Sequence, residues 1–317
     1  MNALEVRNVS KSFNHVHALR DVSFEIPEGC VAGLVGPNGA GKTTMFSIVA
    51  GFLKPTAGDV LLFGEPRTEQ LIRDCELAVL PQDANFLSQI TIEKLFRWYA
   101  LLGGYSSIEA VEEARRVIDV VGLSAAANRE ASQLSHGMHK RMAIAQSMIG
   151  TPGFLLLDEP TAGLDPANVR VIRDLIRRLR GDHTVVVSSH NLAEIADVCD
   201  EIVVLDKGRL IEAKAISEFT RQEGLVTVTI DDYAPQEVLA ALERLPSILN
   251  VRSTKEGKQL ACTIQPEDAD NPDVVSAIVG VLAGHGVSFT NIQKGSTLED
   301  RFLEVTSEAK KKKRPRR

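Results

Sequence analysis

The length and composition of the chain exclude several classes of protein. Its 317 residues are 44% hydrophobic and 25% charged, which is typical of a globular chain of two domains with enough apolar residues to bury a core. No apolar run approaches the ~20 residues that a membrane-spanning helix needs. The N-terminus, MNALEVRNVS, lacks the basic start and apolar run of a secretion signal. We therefore expect neither a transmembrane segment nor a secretion signal.

The charge is unevenly distributed along the chain. Because seven of the last eight residues (KKKKRPRR) are basic, removing them from the net charge of −6 leaves −13 on residues 1–309. A body this acidic does not hold nucleic acid over a broad surface, so we expect no nucleic-acid partner. Residues 308–317 are predicted to be a basic, disordered tail. The tail either only solubilises the chain or contacts phosphates or an anionic membrane face.

The four cysteines, Cys30, Cys75, Cys199 and Cys262, are far apart in the sequence. None of them forms a CxxC pair, the spacing that is typical of zinc and redox sites. This pattern indicates a reduced compartment, and it predicts buried thiols rather than disulfides.

Residues 1 to about 220 alternate between predicted strands and helices. The first two strands alternate apolar and polar residues, whereas later strands are continuous apolar runs, as in a sheet covered on both faces. Between residues 84 and 150, apolar residues recur at helical spacing, which predicts a helical insertion. This order predicts an α/β fold with a mostly parallel core sheet. The predicted strands are 3–9, 20–26, 30–36, 59–65, 77–83, 153–160, 183–190 and a hairpin at 201–213, and the predicted helices are 44–53, 92–104, 107–123, one that begins near Ser135, 168–180 and 192–200.

Residues 224–307 are predicted to form a second, smaller α+β domain. Its elements follow the order βαββαβ, which is the order of the ferredoxin-like fold. A last helix is predicted to follow, with Ser296 as its N-cap and Glu299 three residues later completing a capping box.

A glycine-rich loop lies between the buried strand at 30–36 and the next helix. Glycines in such a loop let backbone N–H groups wrap a phosphate chain, and the N-terminus of the helix favours an anion. Lys42 can then reach the outer phosphates, and the Thr43 hydroxyl can ligate Mg²⁺. The pattern GxxxxGK followed by Ser or Thr, which predicts a nucleoside triphosphate site, is formed by Gly36, Pro37, Asn38, Gly39, Ala40, Gly41, Lys42 and Thr43, with Thr44 directly after it.

Two carboxylates, Asp158 and Glu159, follow the apolar stretch FLLL in the strand at 153–160. The carboxyl ends of parallel strands border the crevice in which ligands of such sheets bind. Asp158 is suited to hold Mg²⁺, and Glu159 is suited to deprotonate an attacking water.

Together these motifs resemble the nucleotide-binding subunit of an ABC (ATP-binding cassette) transporter, over residues 1 to about 220. The resemblance implies a P-loop NTPase cassette with an antiparallel β subdomain, and ATP with Mg²⁺ as ligands. It also implies that Phe13 stacks on adenine, that Gln82 links the Mg²⁺ site to the helical insertion, and that His190 contacts the γ-phosphate. The implied catalytic residues are Glu159, His190, Gln82 and Lys42, and the implied metal ligands are Thr43, Gln82 and Asp158.

The stretch QLSHGMHKR (133–141) has the form of a capped helix start, and it resembles the family signature Leu-Ser-Gly-Gly-Gln. In that family two cassettes face each other, and each presents this helix N-terminus to the ATP held by its partner. The resemblance implies that Ser135, Gly137 and, in the loop Gly163–Asp165, Asp165 contact nucleotide in trans. The implied partner is a second cassette, and we expect a homodimer rather than a heterodimer.

Two residues depart from the usual signature, because His136 replaces a Gly and Met138 replaces a Gln. His136 either adds a donor near the phosphate or points to solvent. We expect a working signature; the alternative is a degenerate copy in a heterodimer that hydrolyses ATP at one site. Met138 is expected to pack in the core.

The C-terminal block resembles the C-terminal domain of cassettes from drug, lipid and polysaccharide exporters, through the stretch TLEDRFLEVT at 297–306. This resemblance implies that ATP hydrolysis energises a separate transmembrane permease for export, at the cytoplasmic face of the inner or plasma membrane. The domain then stabilises the dimer, covers the nucleotide site or senses a ligand. The alternative is a soluble ABC ATPase that acts on translation, DNA or iron–sulfur assembly.

Overall fold

The computed structural model describes residues 1–66, 76–82, 86–222, 224–254, 257–268 and 271–311. The chain divides into two compact units, Met1–Ile216 and Ser217–Arg317. Each unit has a hydrophobic core of its own.

Two sheets organise the described part of the first unit. Its strands are β1 (Asn2–Phe13), β2 (Val16–Pro27), β3 (Val31–Val35), β4 (Ala57–Leu62), β5 (Glu65–Pro66), β6 (Leu77–Leu80), β7 (Phe154–Asp158), β8 (Thr184–Ser188), β9 (Glu201–Asp206) and β10 (Arg209–Ala215). One sheet has the order β2-β1-β4-β5 and the other has the order β10-β9-β3-β8-β7-β6. The first sheet is antiparallel, and in the second every pair from β9 to β6 is parallel while β10 is antiparallel to β9. The predicted fold class is confirmed in this unit.

The core strands bring distant parts of the sequence to one edge. β3, β7 and β8 are almost entirely buried, as expected for parallel strands covered on both faces. Because β3 and β7 each pair in parallel with β8, their carboxyl ends lie at the same edge of the sheet. The glycine-rich loop directly follows β3, Glu159 directly follows β7, and His190 lies two residues after the end of β8.

The helices of the first unit begin and end close to the predicted positions. Among the residues of this unit that the structure describes, the α-helices are α1 (Lys42–Val49), α2 (Ile92–Leu102), α3 (Glu109–Val120), α4 (His136–Ser147), α5 (Pro166–Leu179) and α6 (Leu192–Val198). α1 ends before the predicted Leu53 because Gly51 adopts φ = 86°, which ends a right-handed helix. α2, α3 and α4 occupy the predicted insertion.

The second unit contains the predicted βαββαβ order. After α7 (Ile216–Thr220), its elements are β11 (Leu225–Ile230), α8 (Gln236–Glu243), β12 (Ile248–Thr254), β13 (Gln259–Ile264), α9 (Pro272–Gly284), β14 (Phe289–Lys294) and α10 (Leu298–Lys311). The sheet order is β12-β13-β11-β14 with antiparallel pairs throughout, as in a ferredoxin-like fold. In the ranges that the structure describes, no helix is both long and apolar enough to cross a membrane.

One prediction near the C-terminus is wrong, and a second is wrong for residues 308–311 and stays a prediction for residues 312–317. Thr297, not Ser296, caps α10, because the Asp300 N–H donates to Thr297 Oγ1 at 3.3 Å and the Thr297 hydroxyl donates to the Asp300 carboxylate. Ser296 is buried instead. Residues 308–311 continue α10 rather than being disordered, and the remainder of the predicted tail, 312–317, lies outside the described residues.

Candidate active site

A cavity of about 430 Å³ lies at the carboxyl-terminal edge of the core sheet. It is formed by the glycine-rich loop, by the end of β7 and by residues around the β1–β2 turn. The cavity lining brings together most of the predicted nucleotide and metal residues, namely Phe13, Asn38, Gly39, Ala40, Gly41, Lys42, Thr43, Thr44, Gln82, Asp158 and Glu159. Four lining residues that the sequence did not single out are Val16, His17, Ala18 and Ser188.

The backbone of the glycine-rich loop requires glycine at position 41. Gly41 has φ = 105°, and a Cβ there would lie 2.8 Å from the Ala18 carbonyl oxygen. α1 starts at the next residue, and its first turn lines the cavity without an acidic side chain. The free N–H groups and the positive end of a helix dipole favour an anion at such a position. The loop and helix therefore fit a phosphate chain.

The Lys42 ammonium group lies within the loop. Its Nζ donates to the Gly36 carbonyl at 2.6 Å and to the Pro37 carbonyl at 3.4 Å. Burial lowers the pKa of Lys42, and the nearby Glu159 and Asp158 carboxylates oppose that shift. Gly36 and Pro37 thus contribute carbonyl groups that hold the lysine, and among the described residues Lys42 is the only Lys or Arg that lines this cavity.

The end of β7 provides oxygen groups suited to a hard cation. Asp158 accepts a hydrogen bond from the Ser188 hydroxyl at the end of β8. Thr43 and Gln82 line the same cavity, and the backbone carbonyl of Gln82 accepts from Lys140 Nζ on α4 at 3.0 Å. Carboxylate, hydroxyl and amide oxygens are the ligands that Mg²⁺ prefers, so this set fits Mg²⁺.

Glu159 and His190 are in direct contact. His190 Nδ1 lies 3.2 Å from Glu159 Oε1, and the side chain of His190 is 67% exposed whereas that of Glu159 is 22% exposed. Glu159 has φ = 45°, and its N–H donates to Ser188 Oγ at 3.0 Å. The His190 ring therefore contacts the Glu159 carboxylate, and Ser188 at the end of β8 holds the Glu159 backbone.

The Phe13 ring ends β1 at the border of the cavity. It is 47% exposed, and Lys11 Nζ lies 5.2 Å from the ring centroid. An exposed aromatic face of this kind can stack on a planar base.

The three residues predicted to act in trans lie outside this cavity lining. Ser135 caps α4 by accepting from the Met138 N–H at 3.3 Å, and Asp165 caps α5 by accepting from Ala167 N at 3.0 Å. A Cβ on Gly137 would lie 2.2 Å from Asn168 Oδ1, and Asn168 Nδ2 donates to Asp165 at 2.5 Å. The start of the signature helix and the start of α5 are thus in contact through Gly137 and Asn168, and Ser135, Gly137 and Asp165 do not line the cavity at the phosphate loop.

The two departures from the signature take different positions. His136 is exposed, and its Nε2 lies 3.4 Å from where a Cβ of Gly163 would be, so the ring lies beside the loop that precedes Asp165. Met138 is half-buried, whereas Met142 and Met148 on and after the same helix are fully buried.

The sequence analysis did not identify Ser188 and Asn168, whose side chains contact residues of the two sites. Ser188 contacts both Asp158 and Glu159, and Asn168 links Gly137 to Asp165. The only signal for Ser188 was a serine at the end of the strand that precedes His190. For Asn168 it was an amide three residues after a helix-capping aspartate.

Known proteins are similar to this chain in sequence and in fold. A sequence model described as ABC transporter matches residues 19–162. The uncharacterized ABC transporter ATP-binding protein YxlF of Bacillus subtilis (strain 168) is 33% identical over 305 residues, or 95% of this chain and 99% of YxlF. The methionine import ATP-binding protein MetN of Cupriavidus metallidurans is 32% identical over 306 residues, or 92% of this chain and 87% of MetN.

A solved structure of the ATP-binding cassette MJ0796, a dimer in a post-hydrolysis state bound to ADP and Pi, matches with a TM-score of 0.60. The match has 26% identity and covers 67% of this chain and 98% of that chain. ABC transporter ATP-binding subunits are ATPases, and the phosphate loop and paired carboxylates of this chain have the chemistry that this activity needs. The chain belongs to the ATP-binding proteins of ABC transporters.

Proposed function

We propose that this chain is an ATP-hydrolysing subunit in which two cassettes clasp two ATP molecules and drive a separate permease, in the direction of export. The observation that carries the hydrolytic site is that Lys42, Asp158 and Glu159 line one cavity while His190 contacts Glu159. Lys42 can therefore bind phosphate, Asp158 can bind the metal and Glu159 can activate water within one cavity.

Nucleotide binding uses the two ends of the cavity. Phe13 stacks on the base, and the loop from Gly36 to Thr44 wraps the phosphates with its N–H groups. Lys42 turns from its loop carbonyls toward the outer phosphates, where its charge is matched by a stronger partner than a neutral carbonyl.

Hydrolysis takes place at the end of β7. The Glu159 carboxylate takes a proton from a water molecule as that water attacks the γ-phosphorus, and the bond to the bridging oxygen breaks to release ADP. His190 orients the Glu159 carboxylate and contacts the γ-phosphate. When bound, Mg²⁺ offsets negative charge on the phosphate oxygens, and Thr43, Gln82 and Asp158 would hold it.

The second cassette completes the site. Ser135, Gly137 and Asp165 lie at the starts of α4 and α5 and do not line the cavity at the phosphate loop of their own chain. This arrangement supports their action on nucleotide held by a partner, and MJ0796, which shares the fold, was solved as a dimer with ADP and Pi. Because one sequence carries both the phosphate loop and the residues proposed to act on the partner's nucleotide, a homodimer provides two complete sites.

The permease and the direction of transport rest on other grounds. YxlF and MetN are both ATP-binding proteins of ABC transporters, which supports a membrane partner and a peripheral position at the cytoplasmic face. The export direction rests on the resemblance of residues 297–306 to exporter cassettes. MetN, by contrast, is named for methionine import.

The variant Glu159→Gln tests the hydrolytic site. It keeps the shape of the side chain but removes the base, so we expect kcat to fall about 100-fold or more while ATP still binds. The ATP-bound variant should accumulate as a dimer, which size-exclusion chromatography with multi-angle light scattering measures directly.

The matched control is Glu237→Gln, which makes the same change at an exposed position on α8 of the second unit. It should leave kcat and the monomer–dimer equilibrium as in the unsubstituted chain. Turnover near the normal rate in Glu159→Gln would refute the assignment of the base, and a monomer in ATP would refute the clasped dimer.

A further inference from the structure

The carboxylate of Glu194, on α6, is bonded to both loops that carry the proposed hydrolytic residues. Glu194 Oε2 accepts from the Thr161 hydroxyl at 2.5 Å and from the Ser189 hydroxyl at 3.5 Å. Glu194 Oε1 accepts from Asn191 Nδ2 at 3.1 Å. One side chain therefore joins the segment after β7 to the segment after β8.

The partners of Glu194 are the immediate neighbours of Glu159 and His190. Thr161 lies two residues after Glu159, in a turn closed by a hydrogen bond from Ala162 N to the Glu159 carbonyl at 3.1 Å. Ser189 and Asn191 lie on either side of His190. A displacement of either segment would change the 3.2 Å contact between His190 Nδ1 and Glu159 Oε1.

The surroundings make these hydrogen bonds costly to lose. Thr161 is 9% exposed and Ser189 is 5% exposed, and both border a small cavity that also has apolar walls. A buried hydroxyl without a partner is unfavourable, and hydrogen bonds are stronger where water is excluded. Both hydroxyls therefore hold the segments against the carboxylate.

Glu194 itself stands on a fixed support. Its neighbour Ile195 is fully buried, and Ile195 Cγ2 would lie only 2.7 Å from a Cβ on Gly33 of β3. α6 thus packs closely on the core sheet, and its N-terminus is capped by Asn191, which accepts from Ala193 N at 3.1 Å. The Glu194 carboxylate is therefore supported by the packing of α6 on the core sheet, which does not involve Thr161, and by the Asn191 cap at the start of the helix.

We propose that Glu194 is a positioning residue for ATP hydrolysis, which holds Glu159 and His190 in contact by bonding Thr161 on one side and Ser189 and Asn191 on the other. This inference rests on the roles proposed above for Glu159 and His190. Glu194 acts through its neighbours and does not line the nucleotide cavity.

The test compares Glu194→Ala, Thr161→Val and Thr161→Ser in the full-length chain, with ATP hydrolysis, ATP affinity and melting temperature measured for each. Displacement of catalytic groups by about 1 Å costs on the order of 100-fold in rate. We expect kcat to fall about 10- to 100-fold in Glu194→Ala and Thr161→Val, with ATP affinity nearly unchanged. Thr161→Ser keeps the hydroxyl and should restore turnover.

The matched control is Asp197→Asn on the same helix. Asp197 pairs with Arg173 and Arg177 of α5 and has no bond to either loop. This variant should lose stability as Glu194→Ala does while keeping its kcat. The double variant Thr161→Val with Glu194→Ala should be no slower than Glu194→Ala alone, because both changes break the same bond.

Two outcomes would overturn the inference while leaving the proposed site intact. One is a Glu194→Ala variant whose kcat stays normal, and the other is a loss of kcat that Asp197→Asn shares in proportion to its lower melting temperature. Failure of the proposed function would look different, because Glu159→Gln would then hydrolyse ATP at the normal rate.

Discussion

At the scale of single residues, the backbone of Glu159 is the least expected feature of the site. Its φ of 45° lies in the left-handed region, which costs a residue with a side chain about 1 kcal/mol or more. Hydrogen bonds from its N–H to Ser188 Oγ at 3.0 Å and to the Ser188 carbonyl at 3.2 Å stabilise it there. A sequence can indicate a carboxylate at a strand end, but it does not show the conformation that aims it.

The cysteines give a prediction at this scale. Burial raises the pKa of Cys30 to about 12 and that of Cys262 to about 12, and it also raises the pKa of Cys199. Since the thiolate is the reactive form, only about one part in ten thousand of Cys30 or Cys262 is reactive at pH 8. The folded chain should therefore react slowly with Ellman's reagent at pH 8 and rapidly in guanidinium chloride.

The variant Cys75→Ser is the appropriate protein for that measurement, because Cys75 lies outside the described residues. In this variant three thiols should appear only on unfolding. Rapid labelling of the native variant, with a rate that follows an ordinary thiol pKa, would contradict the burial of these groups.

At the scale of elements, an ion pair between the buried Glu113 and the half-buried Arg116 joins α3 to the residues that follow α4. Glu113 is 8% exposed and accepts from Arg116 Nη2 at 2.7 Å and from the Gly150 N–H at 2.9 Å. Arg116 also donates to the Met148 carbonyl at 2.7 Å. Burial opposes the charge of Glu113, but the hydrogen bonds and the charge of Arg116 outweigh it and lower the pKa of Glu113.

The variant Glu113→Gln should lower the free energy of unfolding by about 1–3 kcal/mol at pH 7, because it leaves charged and buried groups unmatched. A carboxyl whose pKa is lowered in the folded state stabilises it above the unfolded pKa, and this contribution is lost as pH falls through the folded pKa. The difference between the two proteins should therefore shrink below about pH 4.

Fluorescence of Trp98, the only tryptophan of the chain, is a suitable probe because it lies on α2 of the same insertion. Glu112→Gln is the control, since Glu112 is an exposed neighbour on α3. A Glu113→Gln variant as stable as Glu112→Gln at pH 7 would show that the ion pair adds nothing to the docking of α3 on α4.

The elements themselves were largely predictable, because the hydrophobic pattern that predicts a strand or helix also buries it. β3, β7 and β8 are continuous apolar runs and became the buried centre of the core sheet. The ends of helices were harder to predict. Ser296 and Thr297 are both residues that often cap a helix, and tertiary packing decided between them. The helix starts at Leu298, whose side chain is buried, so the cap falls one residue later than predicted.

At the scale of the whole molecule, the proposed permease should copurify with this chain. Extraction of membranes in a mild detergent should recover a polytopic membrane protein bound to it. Leu102, at the end of α2, is 84% exposed, and Leu102→Glu should reduce that recovery while leaving ATP binding unchanged.

Leu249→Glu, at a 59% exposed position on β12, is the control for an added charge on an exposed apolar side chain. Recovery of ribosomes or nucleic acid without a membrane protein would instead support the soluble ATPase that the sequence left as the alternative.

The sequence predicted which chemical groups form the candidate site better than it predicted how their side chains are arranged. The spacing of Gly36 to Thr43 identifies a phosphate loop because few other uses need three glycines before a lysine and a hydroxyl. By contrast, Ser188 and Glu194 act only through contacts made across the sheet, which no local pattern shows. The cargo was not predictable from this chain because the cassette does not contact the cargo in the proposed scheme, whereas the proposed export direction rests on the stretch at residues 297–306.

The contact between Gly137 and Asn168 has a practical consequence. A methyl group at position 137 would displace the Asn168 amide that donates to Asp165. A larger residue at position 137 would therefore alter the starts of both α4 and α5, which are the parts of each subunit proposed to face its partner. Inactivity of such a mutant would be ambiguous between lost phosphate recognition and a shifted α5. The exposed Ser135 side chain accepts the capping bond from the Met138 N–H and does not contact Asn168 in the described hydrogen bonds, so Ser135→Ala is the more specific test of the proposed contact between subunits.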